Sequence, residues 1–287
     1  MRPVTAASTG AHGPVASVVI PAHNEERVIG RLLTELSSAG GALEVLVVCN
    51  GCTDATATVA RTHDVTVLEI AEPSKRAAME RGDRVAATFP RIFLDADVEI
   101  TAGDLLMLAA ACTGPILATG PARRVPRARS SWAVRWYYDM WESLPQVRDG
   151  LFGRGVVALS EEGCERVRRL PPSMSDDLVI SEAFADSERS IVTQASVVVH
   201  PPRTLRDLVR RRVRVTTGNV QADTNGLRGR MARTTPLLLA RLVVDRPVLL
   251  LRLPVFLAVT LVARIMAARA VRRGDYTTWL RDESSRS

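Results

Sequence analysis

Asp95 and Asp97 stand one residue apart at the end of a short apolar run, Ile92 to Leu94. Such a run reads as a buried strand. Strand alternation turns both carboxylates the same way if the extended backbone continues past Leu94. Two adjacent carboxylates are hard oxygen ligands for Mg²⁺ or Mn²⁺. At the C-terminal end of a strand in an open α/β sheet they lie where ligands bind. The chemistry this suggests is a divalent ion holding a substrate phosphate. Taken alone, the pair serves equally well as a solvated turn or helix cap.

Other reactive residues follow. Asp176 and Asp177 fall at a helix start, where one is a candidate general base and the bland role is N-terminal capping. His200 ends an apolar strand and precedes Pro201-Pro202. A lone histidine is more often structural, but this one is a candidate metal ligand. Arg210-Arg211-Arg212-Val213-Arg214 is either a solvated helix face or a grip on a diphosphate, whose oxygens match the guanidinium fork. The glycines in Gly150-Leu151-Phe152-Gly153-Arg154-Gly155 either make a turn or let backbone approach a ligand.

The elements that must position these residues alternate. Apolar runs at 15–20, 43–48 and 65–70 read as strands, and 25–38, 54–63 and 75–87 as helices. Asn24 is the candidate cap of the first helix. Near-continuous apolar strands alternating with helices predict an α/β fold with a doubly wound, mainly parallel sheet and helices on both faces. No G-x-G-x-x-G or Walker A loop follows a strand. The aromatic segment Trp132, Trp136, Tyr137, Tyr138 and Trp141 predicts a core-packing helix with some ring edges exposed.

The chain divides into a disordered leader (1–14), a catalytic domain (15–225) and an apolar helical appendage (226–287). In the appendage, charged residues and prolines interrupt every window long enough to span a bilayer. Two apolar helices edged by arginine fit an anionic membrane surface slightly better than packing on the domain. The chain has 287 residues and a net charge of +7. Lys75 is its sole lysine, so the positive charge is nearly all arginine. The arginines are scattered and no nucleic-acid recognition module is present, which argues against nucleic acid as the partner. The four cysteines do not make a disulfide framework, and Cys49-Asn50-Gly51-Cys52 lacks the second ligand pair a zinc site needs. With no apolar signal segment at the start, the expected location is the cytoplasm, or peripheral on the inner face of the plasma membrane.

These motifs, in their order along the chain, resemble family 2 glycosyltransferases, which have the GT-A fold. Val18-Val19-Ile20-Pro21-Ala22-His23-Asn24-Glu25-Glu26 looks like the family's first strand and P-x-x-N-E turn. Cys49-Asn50-Gly51-Cys52-Thr53-Asp54 sits where the family often has D-D-G-S-T-D, and Ser74-Lys75 with Ala78 and Gly82 is similar to its G-K-x-x-A-x-x-x-G helix. Asp95-Ala96-Asp97 matches the metal-binding D-x-D, Gly153-Arg154-Gly155 the acceptor-side strand, and Asp176-Asp177 the E-D pair. Arg212-Val213-Arg214 loosely resembles the Q-R-x-R-W diphosphate clamp, without its Gln and Trp.

The resemblance implies inverting transfer of a sugar from a nucleoside-diphosphate sugar, first of all a UDP-sugar, to a hydroxyl acceptor; an interfacial tail would point to a lipid-linked or cell-envelope acceptor, and a secondary metabolite or another small molecule is equally allowed. It implies Asp177 as catalytic base beside Asp176, and Mg²⁺ or Mn²⁺ held by Asp95 and Asp97 with help from His200. Pro21, Ala22, His23, Glu25, Asn50, Asp54, Lys75, Asp95, Arg212 and Arg214 would line the nucleotide-sugar site. Cys49 and Asn50 depart from the carboxylates that read the base in many members, which leaves the base open. The rival readings are a degenerate GT-A-like membrane-associated binding module and, less favoured, a D-x-D phosphatase, in which Thr or Val usually stands where this chain has Glu99.

Overall fold

The computed structural model describes residues 13–171, 176–224 and 234–272. Nearly all of the 1–14 leader and the polar end beyond 272 lie outside them, as does the side chain of Asp176. The first half alternates strand and helix: β1 (Ala16–Ala22), α1 (Ile29–Leu36), β2 (Leu43–Asn50), α2 (Thr56–Ala60), β3 (Thr66–Ile70), α3 (Lys75–Val85), β4 (Arg91–Leu94) and α4 (Ala102–Ala111). Then come β5 (Ala118–Arg124), α5 (Trp132–Ser143), α6 (Pro145–Asp149), β6 (Val156–Leu159), α7 (Glu161–Arg168), α8 (Asp176–Glu182) and β7 (Arg189–Val198). Three helices follow: α9 (Leu205–Thr224), α10 (Pro236–Asp245) and α11 (Leu253–Arg272).

The strands form one seven-stranded sheet in the order β3-β2-β1-β4-β6-β5-β7. β3, β2, β1 and β4 run parallel. β6 lies antiparallel between β4 and β5, and β7 runs parallel to β5. Both faces are covered, so Val18, Val19, Ile20, Leu46, Val47 and Val48 are all fully buried. One face packs on Leu32, Leu33, Ala60, Leu105 and Leu108 of α1, α2 and α4. The other packs on Ala78 and Met79 of α3, Cys164 and Val167 of α7, and Ile180 of α8. This is the predicted doubly wound arrangement.

Two local differences change how the site is built. The expected helix from residue 25 starts a turn later, at Ile29, because Asn24 is drawn elsewhere. It takes a left-handed conformation (φ 54°), and its side-chain oxygen accepts the Thr53 amide at 2.8 Å instead of capping. The expected extension through Asp97 also fails. β4 ends at Leu94, and the chain turns at Ala96 and Asp97 with Ala96 buried beneath.

The C-terminal appendage packs on the domain through a third apolar cluster, in which Leu249, Phe256 and Val259 meet Val134, Tyr137 and Met140 of α5 and Leu208 of α9. Tyr137 stacks on Phe256 with ring centroids 5.2 Å apart, and Arg252 pairs with Asp139 at 2.9 Å. As expected for the aromatic helix, Tyr137 and Tyr138 are buried while Trp132 is exposed. The opposite face of the appendage is apolar and open, with Leu237, Leu250, Leu251, Leu257, Leu261 and Ile265 all exposed. Among the described residues, no helix is long and apolar enough to cross a membrane.

Candidate active site

The ends of β1 and β2 are tied together by the turns that follow them. Buried Asn50 donates from Nδ2 to the Ala22 carbonyl (2.9 Å), and His23 Nδ1 lies 2.6 Å from the Asn50 carbonyl oxygen. The Glu25 amide donates to Thr56 Oγ1 at 2.7 Å, and Glu25 itself is buried. Asp54 accepts from the amides of Glu26 (3.2 Å) and Thr56 (3.0 Å), while Glu26 returns the contact by accepting the Ala55 amide (3.0 Å). Burial pushes the Asp54 pKa up, but the Thr56 hydroxyl and these amides outweigh it and hold the carboxyl below its ordinary value. Pro21, Ala22, His23 and Asn50 thus stand at one strand edge, with Glu25 and Asp54 clasping the turns behind it.

Cys49 and Cys52 belong to the same tie. Cys52 donates to the Ala22 carbonyl (3.3 Å). Burial, then the neighbouring Cys52, pushes the Cys49 thiol up to about 12, so it stays protonated at neutral pH and unreactive.

One strand over, α3 brings in Lys75. Ser74 caps the helix by accepting the Ala77 amide at 3.1 Å. Ala78 and Gly82 let the helix lie against the sheet. A Cβ on Gly82 would come within 2.3 Å of Val19 Cγ1 and 3.2 Å of Val48 Cγ2. The small residues of this motif therefore set the distance at which Lys75 reaches over the edge. Its Nζ lies 2.5 Å from Asp95 Oδ1.

Asp95 is fixed from the other side. Its amide donates to the Gly155 carbonyl at 2.7 Å. Gly155 has φ +70°, and a Cβ there would sit 2.5 Å from Val98 Cγ1 and 3.4 Å from Asp95 Oδ2, so this is a place where glycine is required. The same loop holds Asp177, whose Oδ2 accepts the Gly153 amide at 2.9 Å and whose Oδ1 accepts the Leu178 amide at 2.9 Å. Pro21, Lys75, Asp95, Gly155 and Asp177 line one small pocket together with Met79, Phe93 and Ile180.

Arg214 of α9 faces the same group. Burial and Arg211 lower its pKa, while Asp177, Asp95 and Asp97 pull it back up. The site therefore sets Asp95, Asp97 and Asp177 against Lys75 and Arg214, with Arg211 acting on Arg214 as well. Two other predicted residues have their described contacts with different partners. Arg212 turns to α5, its guanidinium carbon 5.8 Å from the Tyr137 ring centroid. His200 Nε2 lies 2.7 Å from Glu99 Oε1, which also pairs with Arg31 at 2.9 Å.

Sequence reasoning gave Arg154 no role, yet it supports the glycine loop from beneath. It is buried and donates to the carbonyls of Gly150 (3.0 Å), Pro121 (2.7 Å) and Arg148 (2.7 Å). Burial and Arg123 push it down to about 9, which leaves it charged at neutral pH. A charged residue between two glycines was the available signal, since a chain bent by glycine leaves carbonyls that need donors.

Among the described residues, no three His, Cys, Asp or Glu side chains group to hold a metal. Asp95 and Asp97 nonetheless fit a Mg²⁺ or Mn²⁺ ion, because such ions are often held by one or two carboxylates plus substrate phosphates.

Sheet, strand-edge acids and glycine loop define a GT-A-type α/β protein. Residues 17–153, just under half of the chain, match the family model "Glycosyl transferase family 2". Its fold is shared with a mannosyltransferase from Pyrobaculum calidifontis, solved with GDP-Man and Mn²⁺ (TM-score 0.60, 21% identity, covering 92% of this chain and 76% of that one). It is also shared with glucosyl-3-phosphoglycerate synthase from Mycobacterium tuberculosis, solved with Mn²⁺, UDP-Glc and phosphoglyceric acid (TM-score 0.54, 21% identity, covering 73% and 79%).

An uncharacterized glycosyltransferase of Mycobacterium tuberculosis is 36% identical over 124 residues, 43% of this chain and 56% of that protein. The chain thus spans little more than half the length of that relative. A 4,4'-diaponeurosporenoate glycosyltransferase of Staphylococcus aureus is 36% identical over 88 residues, 29% of this chain and 24% of that protein.

Proposed function

We propose that the protein is an inverting glycosyltransferase that moves a sugar from a nucleoside-diphosphate sugar to a hydroxyl acceptor. The observation that carries this reading is the single pocket lined by Lys75, Asp95, Gly155 and Asp177, with Arg214 facing the same acids. The nucleoside lies along Pro21, Ala22, His23 and Asn50. Asp177 accepts the proton of the acceptor hydroxyl, whose oxygen attacks the anomeric carbon opposite the leaving diphosphate. Gly153 and Leu178 hold that carboxylate by their amides, which fixes its aim. Lys75 and Arg214 meet the negative charge that grows on the leaving group.

Asp95 and Asp97 would hold Mg²⁺ or Mn²⁺, which supplies Lewis-acid stabilisation of the diphosphate. The neighbours' complexes with Mn²⁺ and with GDP-Man or UDP-Glc support a metal and a nucleotide sugar. They leave uracil and guanine both open as the base.

The acceptor we favour is apolar or lipid-linked, presented at an anionic membrane surface. Exposed Leu250, Leu251, Leu257, Leu261 and Ile265 lie among Arg246, Arg264 and Arg269, and this surface carries few acids. The test is release of nucleoside diphosphate from a panel of UDP- and GDP-sugars with Mn²⁺ and a bacterial lipid extract. Release that needs both sugar nucleotide and extract supports the reading. Absence of release from every pair, in folded protein, turns the balance to a binding module.

A further inference from the structure

Lys75 sits where a divalent ion would make its contact with Asp95. Its ammonium covers Oδ1 at 2.5 Å, and the backbone that presents this carboxylate is held by the Asp95 amide donating to the Gly155 carbonyl. A divalent ion arriving alone must displace this cation. An ion arriving with a diphosphate gives the displaced ammonium a new anionic partner in the same pocket.

The residue type fits such an exchange. The chain has 38 lysines and arginines, and Lys75 is the sole lysine. Arginine holds a planar, bidentate geometry, whereas an ammonium on a four-carbon stem is a point charge that can change partners. Lys75 is also about one-third exposed, which leaves its stem room to move.

We propose that Lys75 is an exchanging cation, paired with Asp95 before the sugar donor binds and transferred to its diphosphate when a divalent ion takes Asp95. Metal and sugar donor then bind cooperatively, and Lys75 is the positioning residue that couples them. The inference rests on the metal-dependent donor binding proposed above.

The test titrates Mn²⁺ into the full chain by electron paramagnetic resonance, alone and with UDP or GDP, for wild type, Lys75→Met and Lys75→Arg. Lys75→Met should bind Mn²⁺ alone roughly fivefold more tightly than wild type, and bind the nucleotide with Mn²⁺ roughly fivefold more weakly. Lys75→Arg, which keeps a cation on Asp95, should bind Mn²⁺ alone as weakly as wild type. A simple structural or nucleotide-binding role predicts no gain in metal affinity in Lys75→Met. If Lys75→Met binds Mn²⁺ alone no better than wild type, the exchange is overturned, while nucleotide binding that still needs Mn²⁺ leaves the transferase reading standing. Mn²⁺ binding absent from wild type even with nucleotide would overturn both.

Discussion

The β1–β4 half of the sheet and the C-terminal helices are both rich in apolar residues, and they bury them differently. Val18, Val19 and Ile20 are each fully buried, because helices cover both faces of a parallel sheet. In α11, Phe256 is 4% exposed and its neighbour Leu257 is 46% exposed. One stripe of that helix docks on α5 and α9, and among the described residues much of the rest of its apolar surface is exposed. Burial on both faces gives the strand edges the rigidity that aligned catalytic groups need. Burial on one face leaves a surface suited to a membrane, where an exposed apolar patch of this kind has a use.

The largest effect should come at the sheet edge. Asp177→Asn should lower transfer by roughly 10²–10⁴-fold, the range typical of a lost general base, while nucleotide affinity stays near wild type. Full activity in that variant, measured by diphosphate release, would remove Asp177 from the mechanism.

Within the tail, Phe256→Ala should destabilise by about 3–5 kcal/mol, since it empties the contact with buried Tyr137. Chemical denaturation would register this as a lower midpoint. Gly82→Ala should cost about 1–3 kcal/mol, because its methyl runs into Val19, and should also move Lys75 away from Asp95. An unchanged melting temperature there would mean α3 can lift off the sheet freely.

Leu261→Ser, on the open face of α11, should change stability by no more than about 0.5 kcal/mol. It should still weaken cosedimentation with anionic vesicles. Unchanged vesicle binding in Leu261→Ser and Leu257→Ser together would sink the membrane reading and leave the patch to another partner.

The smallest effect is at Asp54. Its folded pKa is held low, so its stabilising contribution is present above the ordinary aspartate range and is lost as pH falls through the folded value. Asp54→Ala should flatten the acid limb of the stability curve by a small margin.

The same contrast explains what was legible in the sequence. β1 to β3 and α3 stand close to their expected bounds, because continuous apolar runs bounded by turn residues have few other readings. β5 was not foreseen. It reads Ala-Thr-Gly-Pro-Ala-Arg-Arg, with no apolar run and with a register shift at Pro121, so its strand character comes from pairing with β6 and β7. The acidic pair, the sole lysine and the glycine loop were visible as types and spacings. The turn at Ala96, the Lys75–Asp95 pairing and the divergence of Arg212 from Arg214 were not, because each depends on contacts between distant segments. Apolar periodicity likewise predicted two tail helices but not which face would dock, since both faces read alike.

The most direct test of the central claim is a thermal-shift measurement of wild type and Asp95→Asn with UDP and GDP, each with and without Mn²⁺. A ligand that binds the folded state raises its apparent stability. The account predicts that one nucleotide raises the melting temperature of wild type when Mn²⁺ is present, and that Asp95→Asn loses most of this rise. No shift in folded wild-type protein under any of these conditions, or an equal shift in Asp95→Asn, would contradict it.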